Sequence, residues 1–484
     1  MRYNELEALD LALKFAGAAR VYVMRDPAAR YPPVRPTNVY PLQPAFSLRT
    51  EIHSRAESTP VSEFGSYVIA LYCVFRLGTI HEYLANRGIN THYNYFFAPL
   101  ILVLVLVGGR FLSSVRTPTG KWLTGYVAWM TITIPTSYWR GGSANVVQTY
   151  LINDFLLFLA LASFIVSIAG CKRFLSAVSL AMSCFVLVAL LAGVASNTGR
   201  LTIGGSKFGN PNDLALHLLF LAPLVICFIR TRLESIASTV VHVGAVFALL
   251  AGTVLFFRTG SRGGLLALAA MLALWFFQLP LLKKLAPLLA LVLALSAASL
   301  ILPRATVNRY ATIFSADVEV DAEDSWTVRI AQGSSEARKH EFWRSIELTL
   351  EHPVFGIGVG QYSGYMEAED KKNGVHRNDI GTHNAYTQAS SEMGMFGGIL
   401  FVGVMVSTWR SLKRTREAIR GIPELQPLYS MAQGVTFSLL AYCVGAIFAS
   451  LAYEIYLPIA ASLAIGLSIA AGQGLRSLEE VKTS

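Results

Sequence analysis

Apolar residues run through this chain in long blocks separated by polar loops, and the length of the blocks carries the first inference. About 20 consecutive apolar residues cross the hydrocarbon of a bilayer as a helix. Blocks of that size lie near 64–85, 94–114, 121–139, 146–169, 174–195, 213–230, 237–257, 262–280, 284–303, 384–408, 428–449 and 453–473. They predict an all-α fold, a polytopic membrane bundle of about 12 transmembrane helices. The first block is the most polar, with Arg76, His81 and Glu82 inside it. The chain then divides into a cytoplasmic N-terminal tail (1–62), nine helices (63–303), one large extracytoplasmic loop (304–383), three further helices (384–474) and a cytoplasmic C-terminal tail (475–484). Within the large loop, Ser335 to Glu351 reads as an amphipathic helix with Phe342, Trp343, Ile346 and Leu350 on one side. Pro353 stops it, and Gly356, Gly358 and Gly360 follow as a turn-rich segment. A helix of that kind lies on the membrane surface or caps the bundle.

Composition supports the same class. Hydrophobic residues make up 54% of the 484 and charged residues only 14%, with a mean hydropathy of +0.48. Soluble proteins carry about 25% charged residues, so soluble, disordered and coiled-coil classes are excluded. The net charge of +10 then reads as topology rather than nucleic-acid binding, because Lys and Arg gather on the cytoplasmic side of membrane proteins. With the N-terminus inside, the inner loops hold Arg110, Arg116 and Lys121; Lys172 and Arg173; Arg230 and Arg232; Lys283 and Lys284; and Arg410, Lys413, Arg414, Arg416 and Arg420. The large loop falls outside and is acidic, with nine Lys+Arg against thirteen Asp+Glu. Five cysteines sit in or beside apolar blocks and suggest neither a disulfide framework nor zinc spacing. Met1 to Pro60 shows no cleavable-signal pattern, and no internal repeat is visible.

Against this background, cations at outer helix ends are exceptions. Arg140 follows Tyr138-Trp139; Arg200 precedes Phe208-Gly-Asn-Pro-Asn212-Asp213; Arg258 and Arg262 flank Thr259-Gly260-Ser261; Arg338 and Lys339 open the amphipathic helix. Guanidinium groups converging on one cavity bind phosphate bidentately, whereas the plainer alternative is snorkelling to lipid headgroups. Arg262, set among glycines, is the strongest of these for a ligand. Thr382-His383-Asn384 stands at the mouth of the tenth block and continues through Tyr386 to Glu392. A histidine there serves as general base or as a contact to an oxyanion. Glu392 reads as a packing residue, Asp154 as the partner of an arginine, and His217 as a satisfied core histidine. Asn210 to Asp213 supplies a helix cap, with a sugar contact from Asn212 left open. The acidic run Asp317–Asp324 lacks the register of a calcium loop and reads as solvated.

Several of these elements resemble the O-antigen ligase and polymerase superfamily. They are Ser334-Ser335-Glu336-Ala337-Arg338-Lys339 with Trp343, the turn His352-Pro353-Val354-Phe355-Gly356-Ile357-Gly358, His383-Asn384 with Glu392-Met393-Gly394, Ser261-Arg262-Gly263-Gly264, and Phe208 to Asn212. The resemblance spans roughly residues 60–475. The resemblance implies a GT-C-like glycosyltransferase of the bacterial inner membrane with a periplasmic active site. It would move a glycan from undecaprenyl diphosphate to an acceptor hydroxyl, with inversion and with no metal or other cofactor. The acceptor would be a glycolipid such as the lipopolysaccharide core, a growing polysaccharide or exopolysaccharide, or a protein. By the same resemblance Arg262 and Arg338 hold the diphosphate and His383 activates the acceptor or holds the reacting phosphate. Arg140, Lys339, Asn212, Asn384 and Tyr386 are further candidates for substrate contacts. Arg338 is followed by Lys339 and His340, which leaves open which cation faces the ligand. Two other classes compete: a transporter or flippase of lipid-linked sugar, which favours repeated halves and mid-membrane polar groups, and a non-catalytic subunit of an export assembly.

Overall fold

Each apolar block that falls among the described residues folds largely as helix. The computed structural model describes residues 60–196, 199–231, 236–284, 307, 310, 325–374 and 381–483. The predicted N-terminal tail up to residue 59, all of the block 284–303 after Lys284, and the acidic run 317–324 lie outside them. In chain order the helices are α1 (Pro60–Gly78), α2 (Ile80–Ala85), α3 (Tyr93–Gly108), α4 (Phe111–Arg116), α5 (Pro118–Ile132), α6 (Arg140–Tyr150) and α7 (Leu156–Phe164). They continue with α8 (Ile168–Ala192), α9 (Pro211–Ile229), α10 (Ile236–Arg258), α11 (Arg262–Gln278), α12 (Ser325–Glu351), α13 (Tyr362–Lys372), α14 (Ala385–Ala418), α15 (Gln426–Gly445) and α16 (Tyr456–Thr483). Seven helical segments among these residues are long and apolar enough to cross a membrane. The molecule is thus an α-helical membrane protein; among the described residues the one small exception is that β1 (Gly193–Ala195) and β2 (Leu201–Ile203) pair antiparallel.

The bundle buries aromatic and aliphatic residues inward, including Tyr126, Phe158, Phe174 and Phe220, and turns others such as Phe96, Val107, Phe247 and Leu250 outward. Outward apolar side chains are at home against lipid, so packing and polar pairing hold such helices together. Asp154 pairs with Arg76 at 3.2 Å, on a π-helical turn, Leu151–Phe155, between α6 and α7. His217 is fully enclosed, with Nδ1 3.1 Å from the Tyr456 hydroxyl and Nε2 2.9 Å from the Leu77 carbonyl. Both match the structural roles expected of them.

Three differences from the sequence expectation matter for the site. The first block breaks at Thr79, whose φ of 53° ends α1, so His81 and Glu82 leave the span. Burial, partly offset by a bond to the Phe75 carbonyl, pulls His81 down to about 4. The helix in the large loop starts ten residues earlier than expected, at Ser325. Its buried side is also not the apolar one. Glu341, Ser345, Leu348 and Thr349 face inward, while Trp343 and Leu350 are 62% and 70% exposed. The reason is its neighbour: α12 packs on α14 through small polar contacts such as Thr349 to Ser390, 3.1 Å. Lastly, α14 runs on to Ala418 and is broken at Gly394, where φ is 71° and ψ −179°.

Candidate functional site

The break at Gly394 shows how this end of the bundle is assembled. Only glycine fits there, because a Cβ would strike the Val354 carbonyl oxygen and φ is positive. Gly356 and Gly358 meet the same two limits against Glu392 and Ser137. The turn after α12 therefore lies directly on α14. Ile357 N donates to the Ser391 carbonyl (3.0 Å), Gly358 N to the Glu392 carbonyl (2.9 Å) and Met395 N to the Pro353 carbonyl (2.9 Å). The buried Glu392 carboxylate accepts from Gly360 N at 2.8 Å and Tyr362 N at 3.0 Å. Glu392 is a packing residue, as expected, and what it packs is the loop. Farther out, Arg344 pairs with Glu351 of its own helix at 2.8 Å and joins α12 to α13 through Glu369 at 2.9 Å. Burial opposes its charge, yet Glu351, Glu347 and Glu369 outweigh that and hold the guanidinium above its usual range.

Above this joint stands Thr382-His383-Asn384. His383 has φ 46°, a left-handed conformation that non-glycine residues rarely adopt and that concentrates at functional sites. It is fixed on both sides. Its backbone N donates to Ser450 Oγ at 2.9 Å, and Thr382 Oγ1 shares the same hydroxyl at 2.9 Å. Asn384 caps α14, its Oδ1 accepting from Tyr386 N (2.9 Å) and Thr387 N (3.1 Å). Ala385 N donates to the Ala446 carbonyl at 2.7 Å.

The segment between α15 and α16, residues 446–455, is the common anchor. Besides Ser450, it offers Ala452, whose N donates to Gln388 Oε1 (3.1 Å) and whose carbonyl accepts from the Tyr126 hydroxyl (3.0 Å). Phe448 packs on Gly263 so closely that a Cβ there would meet its own Cβ at 2.6 Å. The N-terminus of α11, which carries Arg262, is thereby brought to the strand of chain that holds His383. Ser261 caps α11 through Gly264 N (3.1 Å) and donates to Asn212 Oδ1 (2.9 Å). Arg200 completes the clamp, with Nε on the Thr259 carbonyl (2.7 Å) and Nη2 on Asn212 Oδ1 (3.0 Å).

The sequence-selected residues thus fall into two groups. Asn212, Asn384 and Tyr386 are turned into the scaffold: Asn212 holds Ser261 and Arg200, Asn384 caps α14, and Tyr386 donates to the Cys443 carbonyl at 2.8 Å. Arg262 and His383 share the 446–455 anchor. Arg338 is half-buried and Lys339 exposed on α12. That helix runs the same way as α14, since Thr349 meets Ser390 and, farther on, Pro353 meets Met395. Arg338, in the middle of α12, and His383, just before α14, therefore both lie on the N-terminal side of the Thr349–Ser390 contact. Arg140 is exposed at the start of α6. Its segment is stitched to the glycine turn by Tyr138 N on the Ile357 carbonyl (2.8 Å) and Ser143 Oγ on the Val359 carbonyl (2.8 Å). Sequence reasoning missed Ser450, which carried no motif, took Gln388 only as part of the polar series after His383, and weighed Arg200 as a headgroup contact when it clamps the Arg262 turn.

Residues 245–402 match the O-antigen ligase family. That stretch holds Arg262, Arg338, His383, Glu392 and Gly394, so the resemblance read from the motifs is shown for it. The family acts on lipid-linked glycans within a membrane, and at a coarse level its activity is that of a glycosyltransferase-like ligase. No curated protein matches the chain.

Proposed function

We propose that the protein is a glycosyltransferase that takes a glycan from undecaprenyl diphosphate and joins it to an acceptor hydroxyl, in a single inverting displacement without a metal ion. The observation that carries this reading is the 446–455 anchor, on which His383 and the Arg262 helix end converge. In this mechanism His383 takes the proton of the acceptor hydroxyl as its oxygen attacks the anomeric carbon. The bond from that carbon to the diphosphate breaks on the opposite side. Arg262 and Arg338, helped by Arg140 and Lys339, neutralise the charge that grows on the leaving diphosphate. Preorganised donors of this kind contribute about 10²–10³ in rate each, and a positioned base about 10²–10⁴. The site would face the periplasm from the inner membrane, with both termini cytoplasmic.

His383→Ala and Arg262→Ala are expected to reach the membrane folded and to lose glycan transfer, by about a hundredfold or more. Purified protein with donor and acceptor in detergent provides the assay. A flippase or a non-catalytic subunit would convert nothing in the absence of compartments, and wild-type turnover in either variant would remove the assigned roles.

A further inference from the structure

Helix α12 presents three sides, and packing within the protein accounts for one of them. That side meets α13, α14 and the glycine turn. The Tyr362 hydroxyl donates to Glu341 Oε2 at 2.7 Å, Leu348 packs with Ile357, Tyr362 and Met366, and Thr349 meets Ser390. A second side carries Glu336, Glu347 and Glu351, all exposed and suited to water. The third carries Phe342, Trp343, Ile346 and Leu350, whose spacing of three to four residues puts them on one flank. Phe342 and Ile346 are half-buried and the other two are exposed, so this apolar flank faces outward.

The flank does not stop where the helix does. Val354 and Phe355 follow in the turn and are exposed as well. Phe355 stacks on Trp129 of α5, with ring centres 5.7 Å apart and planes 13° from parallel. Trp129 in turn meets Phe396 of α14 at 5.4 Å, and Met395 N holds the Pro353 carbonyl beside them. Phe396 heads the outward row Phe396, Ile399, Val402 and Val406 on a helix long and apolar enough to cross a membrane. In a membrane protein such a row is covered by lipid chains. The uncovered flank of α12 is thus continuous, through Phe355 and Trp129, with a surface that already faces the bilayer.

The order of side chains along the flank fits the same neighbour. Nearest Phe396 come the purely apolar Phe355, Val354 and Leu350. Trp343 lies two turns back along the helix, about 10 Å by helical rise, and its ring suits the boundary between acyl chains and headgroups. One turn beyond it Lys339 is exposed; its stem can follow the apolar flank while its ammonium stays in water. The carboxylates keep to the other outward side. Apolar residues along one face and charges along another are the mark of a helix seated in a membrane interface.

We infer that the flank of α12 from Trp343 through Leu350 to Phe355 docks on the lipid surface at this end of the bundle, so that α12 is a membrane-seated arm. The docking holds whichever side of the membrane that end faces; only its consequence, that Arg338 is kept near the height of a lipid-borne diphosphate, rests on the transfer reading above. The test uses the full chain with its native cysteines replaced, in nanodiscs of phosphatidylethanolamine and phosphatidylglycerol. Spin labels are placed one at a time at Trp343→Cys and Leu350→Cys. Ile399→Cys on the outward row of α14 serves as the lipid standard and Lys372→Cys on α13 as the water standard; all four native side chains are exposed, so none of the changes empties a packed core. The reading is the ratio of collisions with oxygen, which enters hydrocarbon, to collisions with a polar nickel chelate, which does not. At Leu350→Cys the ratio should match Ile399→Cys and exceed Lys372→Cys about tenfold or more, given the cost of moving a polar group out of water. Trp343→Cys should fall between the two standards. A ratio equal to the water standard at either position overturns the docking, and so does shielding from both reagents, which would put protein and not lipid over the flank. Lipid contact in a protein that transfers nothing upholds the docking and removes only the consequence for Arg338.

Discussion

At the scale of single residues, what the site asks of a side chain differs from what its motif suggests. Asn384 looks like a substrate contact beside His383, yet both bonds made by its carbonyl oxygen go to the first turn of α14. Removing such a cap costs about 1 kcal/mol, so Asn384→Ala should lower the thermal midpoint while Asn384→Asp, which keeps the acceptor, should not. A fall in donor binding with unchanged stability would return Asn384 to the ligand. His383 was legible because a histidine in a polar series at a helix mouth is conspicuous. Its left-handed backbone and its dependence on Ser450 were not, since one serine in an apolar loop carries no pattern. Asp154 and His217 were read correctly by a general rule: an ionisable or polar group deep in an apolar block must find a partner.

At the scale of elements, apolar block length predicted helices well and predicted their interruptions poorly. The break at Thr79 and the break at Gly394 are tertiary effects. The first takes His81 and Glu82 out of the span, and the second admits the loop after α12. The three glycines after Pro353 were legible as turns, but the surface they approach was not. Reading α12 by its apolar stripe also gave the wrong buried face, because α14 offers Ser390 to Thr349 there. Glu392 ties these pieces together. Glu392→Ala would leave Gly360 N and Tyr362 N without their acceptor, at about 1–3 kcal/mol for each buried group. Limited proteolysis should then cut the 353–374 segment much faster than in wild type, and Glu392→Gln, which still offers a carbonyl, should lie between. Equal cleavage in all three proteins would show that the carboxylate does not hold the loop.

At the scale of the whole molecule, the proposed orientation rests on charge bias and not on helix packing, since a bundle looks the same from either side of a membrane. The basic loops near 110–121, 172–173 and 410–420 lie at the ends of the helices opposite the His383 anchor, as the positive-inside bias requires if that anchor is periplasmic. With the native cysteines replaced, Lys339→Cys should react with a membrane-impermeant maleimide on intact cells and Lys413→Cys only after lysis. The reverse pattern would place the site in the cytosol and end the proposed mechanism.

The glycine in the middle of α14 has a consequence for how such a protein tolerates change. Above it, His383 to Met393 is gripped by the Ala446 carbonyl, Ser450, Ala452 and the turn beneath. Below Met395, whose N still bonds the Pro353 carbonyl, the rest of α14 packs on neighbouring helices such as α5 and α16. The two parts share a chain but not a helical phase, so the lower shaft is free to roll, tilt or gain a residue without swinging the imidazole off target. Aim is set by the collar and not by the post.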